Sequence, residues 1–198
     1  MRKHLNATRD SGGQALVETA LVVPLLVLLV LNVVNFGYFF WVTTNLTAAS
    51  RSATLYAIEG SSTPWAKQLP AAGNSNLSVS YLAVQDLTGP LAGVSNVSIQ
   101  VCSPVNLSSN SGVNGSGASQ VSNCVACTGS SCGGVAAPSP SPNPDPEAPI
   151  FVLNRVDIVY TFQPLIPGTI FNLPLRASGM CNATGTCTFA RHAEMRSM

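Results

Sequence analysis

The sequence predicts an α+β fold in which one long N-terminal helix crosses a membrane with its first half and packs on a small antiparallel sheet with its second. Three observations predict it. Thr19 to Ser50 is a 32-residue stretch without a charged side chain, and about 20 apolar residues suffice to span ~30 Å of hydrocarbon as a helix. Val42, Leu46, Ala49, Ala53 and Tyr56 then recur at steps of four and three, the spacing of one helix face. Beyond Gly60 the pattern changes to apolar/polar alternation at period two, punctuated by glycine and proline.

The apolar helix is read from Gln14 to Glu59, with Gly60 as its C-terminal stop. Pro24 inside the run removes one backbone hydrogen bond and marks a kink, which membrane helices tolerate. Arg2, Lys3 and Arg9 precede the span, whereas Arg51 and Lys67 are the first cations after Ser50. The positive-inside tendency places the N-terminus in the cytoplasm and the large remainder outside. A removable signal peptide fits less well, because its apolar core usually runs about 7–15 residues and Ala20 to Val42 counts 23. Glu18, at the cytoplasmic edge of the span, is costly unless something accepts its charge.

Three domain segments follow: a basic leader at 1–13, the helix at 14–59, and an extracytoplasmic β-rich domain at 60–198. Strands are expected over Leu77–Val84, Val94–Val101, Asn154–Phe162 and Thr186–Met195, in a sheet with one wet face. The amphipathic half Val42–Glu59 is the partner that covers the other face. In the middle, 103–149 reads as a disordered, outward-displayed insertion. Asn106 to Gln120 is nearly all small polar residues, and six of the twelve positions from Pro138 to Pro149 are proline.

With 9% charged residues and a net charge of +1, the chain has no field that would attract nucleic acid. All six cysteines, Cys102, Cys124, Cys127, Cys132, Cys181 and Cys187, lie in the exported part, where disulfides persist. Cys124-Val125-Ala126-Cys127 has the spacing of a redox pair or half a zinc site. The surrounding Ser, Asn and Gly offer no helix to activate a thiol, and the histidines, His4 and His192, lie far from the loop. Disulfides are the expectation, with Cys181–Cys187 closing a short turn and Cys102 bridging into the Cys124–Cys132 cluster. Neither a metal site, a cofactor, a small-molecule substrate nor a catalytic constellation is expected, so the chain reads as a component and not an enzyme.

Gly13-Gln14-Ala15-Leu16-Val17-Glu18, followed by Ala20-Leu21-Val22-Val23-Pro24-Leu25-Leu26, resembles the start of the TadE-like pseudopilins of the tight-adherence (Flp pilus) secretion system. Asn35-Phe36-Gly37 and Leu46 to Ala53 resemble that family's continuation, so the likeness covers residues 12 to 60. It implies a single-pass protein of the bacterial inner membrane, cut by a prepilin peptidase between Gly13 and Gln14. Glu18 would then be the fifth residue of the mature chain, pairing with the amino terminus of a neighbouring subunit. The implied partners are inner-membrane lipid, the peptidase, other pilins or pseudopilins, and the pilus assembly platform. Thr19 departs from the aromatic that commonly follows the glutamate. An uncleaved bitopic envelope protein with a disulfide-clamped binding domain is the alternative.

Overall fold

The computed structural model describes residues 11–59, 78–89, 91, 96–104, 113–128, 131–132, 136–168, 170–182 and 186–196. The basic leader up to residue 10 and the expected stop at Gly60 lie outside the described residues, as does the stretch 105–112 of the insertion. The fold is α+β. Helix α1 (Ser11–Glu59) runs 49 residues and continues through Pro24. Helices α2 (Val79–Thr88) and α3 (Leu173–Ala177) are short. The strands are β1 (Val97–Ser103), β2 (Val113–Asn114), β3 (Val121–Thr128), β4 (Ser131–Cys132), β5 (Leu153–Phe162) and β6 (Cys187–Arg196).

All the strand pairings are antiparallel, in the order β2-β3-β1-β5-β6 with β4 also on β3. Registers Val97↔Tyr160, Ile99↔Ile158 and Val101↔Val156 put these side chains on one face. That face meets Val42, Leu46, Ala49 and Ala53 of α1, as the stripe predicts, together with Phe39 one turn before it, and all of them are buried. Tyr56 does not belong to the stripe, being 43% exposed, and the buried face takes in small polar residues instead. Ser50 and Thr54 are fully buried. Each satisfies its hydroxyl on the helix backbone, and Thr54 also reaches Ala193 O of β6. Small hydroxyls bonded in this way let the helix approach the sheet without an unpaired polar group.

Three expectations need correction. Leu77–Val84 was expected as a strand, but Val79–Thr88 is a helix. The Ser78 hydroxyl caps it by accepting the Tyr81 N–H at 3.2 Å, and Val79, Ala83 and Leu87, four apart, are its buried apolar residues beside α1. A short alternating run fits either period, and the covering of α1 decides it.

The second correction concerns the insertion. Val121–Thr128 is a strand paired along β1. The apolar residues Val125, Ala126 and Cys127 supply what the flanking Ser and Asn lack. The third concerns the outer face of the sheet, which is wet along β6, where Thr188, Ala190, His192 and Glu194 are exposed, but is covered at its centre. Gln100, Cys102 and Asp157 point away from α1 and are all buried. The proline-rich segment lies over them: Gln100 donates to Pro140 O at 3.5 Å and accepts the Ser139 N–H at 3.3 Å. Its far end is clasped by Arg196, whose guanidinium holds Asp145 at 2.8 and 3.0 Å and Glu147 at 2.9 Å. Six prolines limit the conformations the segment gives up on docking, so few contacts suffice to hold it.

Candidate functional site

The candidate site is α1 itself, in two zones. From Ala15 to Val30 every described side chain is exposed, including Leu16, Leu21, Leu25 and Leu29. The most apolar 18-residue window has a mean hydropathy of 2.5, and only 6% of it is buried. A helix so apolar that no protein covers is built for lipid, and soluble core helices do the opposite.

Glu18 lies in this zone beside an open groove lined with Ala15, Thr19, Val22, Val23 and Leu26. It is exposed and makes no ion pair or hydrogen bond among the described residues. Thr19 turns its hydroxyl back to Ala15 O at 2.8 Å, so it does not compete for the carboxylate. The backbone at Gly13 and Gln14 is already helical, in the first turns of α1.

The second zone begins at Asn32, and the importance of its two amides is not evident from the sequence. Asn35 is 1% exposed. Its amide nitrogen donates to Ile166 O at 3.0 Å, Phe171 O at 3.1 Å and Asn172 Oδ1 at 3.1 Å, and its Oδ1 accepts the Ile166 N–H at 3.0 Å. Asn32, one turn earlier, donates to Ile170 O at 3.2 Å and accepts the Leu173 N–H at 3.3 Å. Together they fasten the loop between β5 and α3 to the helix. Their i, i+3 spacing puts both on one face, a signal that would have paired them had a distant loop been expected. Gly168 gives that loop its turn, with φ +125°, and a Cβ there would come within 3.0 Å of the Phe171 ring.

Past the amides, Phe39 meets Phe189 and Phe162 at ring-centroid distances of 4.7 and 5.9 Å. Phe36, Phe40 and Trp41 stay exposed at the same level. Tryptophan and tyrosine, whose rings carry a polar group, concentrate where a span leaves the bilayer, and Trp41 fits that place.

Residues 13–54 match the family model of the TadE-like proteins. The TadE-like segment thus takes in the lipid-facing zone, the two amides and most of the packed stripe. No curated protein and no solved structure matches the chain.

The cysteines support no active site. Cys102 bonds Cys124, tying β1 to β3, and Cys181 bonds Cys187. Cys127 is also disulfide-bonded, and its backbone lies opposite Cys132 in the β3–β4 register. Because Cys124 and Cys127 are three apart on a strand, their side chains leave opposite faces. A Cys-x-x-Cys pair in that setting cannot close on itself. The described residues contain no cluster of ligating side chains.

Proposed function

We propose that the protein is a TadE-like minor pilin or pseudopilin, a membrane-anchored component of Flp-type pilus assembly, adhesion or secretion. The supporting observation is the coincidence, on one segment, of the TadE-like match, a lipid-exposed apolar helix and a single carboxylate, Glu18, without a partner among the described residues. A carboxylate near hydrocarbon favours a cation within a few ångströms. Cleavage between Gly13 and Gln14 creates an ammonium at the start of the helix, and a neighbouring subunit's ammonium would meet Glu18 when helices bundle. Prepilin peptidase, other pilins and the assembly platform are the partners this reading requires. The N-terminus faces the cytoplasm and the folded domain lies outside the inner membrane.

The deciding experiment is intact mass and N-terminal sequencing of the membrane-extracted protein, made with and without its cognate prepilin peptidase. Loss of residues 1–13 only with the peptidase is the expected result. An uncut start in both preparations would sink this reading in favour of the bitopic envelope protein.

A further inference from the structure

Outside α1, the exposed large hydrophobic side chains among the described residues are Ile150, Leu165, Ile170, Leu173 and Met180. Four of the five fall between Gln163 and Met180, a segment whose one charged residue is Arg176. Ordinary surface loops are not built this way. The segment is fastened to α1 at Asn32 and Asn35, so its depth is fixed by theirs.

That depth follows from length. With Glu18 at one boundary, 20 residues from Thr19 carry the helix to Tyr38, ~30 Å at 1.5 Å per residue. Asn32 and Asn35 then lie ~9 and ~5 Å short of the far hydrocarbon boundary. Were the membrane to end at Asn32, the 13 residues from Thr19 to Leu31 would span only ~20 Å, about two-thirds of what is needed. The exposed Trp41 agrees with the deeper boundary.

We propose that Gln163–Met180 is a membrane-seated loop, with Leu165, Ile170 and Leu173 inserted among lipid acyl chains beside the span while Asn32 and Asn35 satisfy its backbone. This rests on the spanning role of α1 given above. Irregular backbone at membrane depth persists only where its polar groups are paired. Here Ile166 N–H and O, Phe171 O, Ile170 O and Leu173 N–H all bond to the two asparagines. Pro164, Pro167 and Pro174 bring no N–H at all. Asn172 supports the turn from within, donating to Gly168 O at 3.0 Å. Arg176, at the end of α3, takes part in none of the ion pairs among the described residues and is left for a headgroup phosphate. The consequence is a domain held against the bilayer at two points, which fixes its tilt and rotation about α1.

The test uses the full chain in phosphatidylcholine vesicles whose acyl chains are brominated near mid-chain. Trp41→Phe and Trp65→Phe remove the native tryptophans, and single reporters are placed by Leu173→Trp, by Leu25→Trp in the span and by Leu55→Trp on the emerged helix. Leu25→Trp and Leu173→Trp are expected to lose most of their emission relative to unbrominated vesicles, and Leu55→Trp to keep it. Leu165→Trp repeats the measurement if Leu173→Trp fails to fold. Quenching at Leu25→Trp with none at the loop reporter overturns the proposal and leaves the span intact. A blue-shifted loop reporter insensitive to bromine also overturns it, because a second protein copy then covers the patch. An unquenched Leu25→Trp removes the span, and the loop proposal with it.

Discussion

Asn35 and Ile166, 131 positions apart, exchange two hydrogen bonds: the amide nitrogen donates to Ile166 O at 3.0 Å and the amide oxygen accepts the Ile166 N–H at 3.0 Å. The side chain therefore pairs with the loop backbone as a neighbouring strand would. Asn35→Ala leaves these groups and Phe171 O without partners. Each such loss costs about 1–3 kcal/mol, so the loop should release while the sheet stays folded. Hydrogen exchange in detergent should show 164–173 losing protection with little change at 153–162. Equal loss in both would mean that Asn35 holds up the whole domain.

The clasp at Arg196 makes attachment of the proline-rich segment depend on pH. The Glu147 backbone N–H, together with the Arg196 guanidinium, holds the Asp145 carboxyl below its ordinary value of 3.8. A depressed folded-state value stabilises the clasp above the unfolded value near pH 4, and that contribution disappears as pH falls through the lower folded value. Proteolysis within 136–151 should rise only below about pH 4. In Arg196→Ala it should be fast already at pH 7.

The two disulfides with assigned partners should differ in worth. Cys102–Cys124 encloses a separation of 22 residues and Cys181–Cys187 one of 6. Loop-closure entropy gives about 3 kcal/mol for the first and about 2 kcal/mol for the second. Removing the pair Cys102 and Cys124 should therefore lower the denaturation midpoint more than removing Cys181 and Cys187. The reverse order would show that the short clasp matters through β6 and not through chain entropy.

The two zones of α1 should answer differently to the same substitution. Leu46→Ala empties a fully buried site and should cost about 2–5 kcal/mol of domain stability. Leu21→Ala, 73% exposed on the lipid-facing stretch, should leave that stability unchanged. Denaturation followed by the near-UV signal of the aromatic cluster separates them.

Glu18→Ala should insert and fold normally yet fail in assembly, read as surface filaments or as crosslinks between copies. Glu18→Gln tests whether charge is what matters. Wild-type assembly by both variants would end the proposed pairing role.

Much of the fold was legible because it rests on local periodicity. The apolar run, the four-and-three stripe through Val42, Leu46, Ala49 and Ala53, and the strands ending at Phe162 and Arg196 each show in a short window. The helix at Val79 was missed because four or five alternating residues fit both periods. The strand at Val121 is hidden because its apolar residues cluster at Val125–Cys127 without alternation, amid Ser and Asn, and its pairing with β1 decides it. The disulfides were open at the level of pairing, since spacing allows many connectivities and only the register of β1 with β3 sets Cys102 opposite Cys124.

The sequence by itself determined that this chain has a lipid-length helix, a lone carboxylate at its edge and an apolar face for a sheet. These are properties of composition and spacing along one element. Only the tertiary structure decided that the proline-rich segment lies on the sheet and that Asn32 and Asn35 anchor a loop more than a hundred residues away. A proline or an asparagine has no local preference for such a partner. Its role is fixed by which unpaired backbone groups the fold brings within about 3 Å.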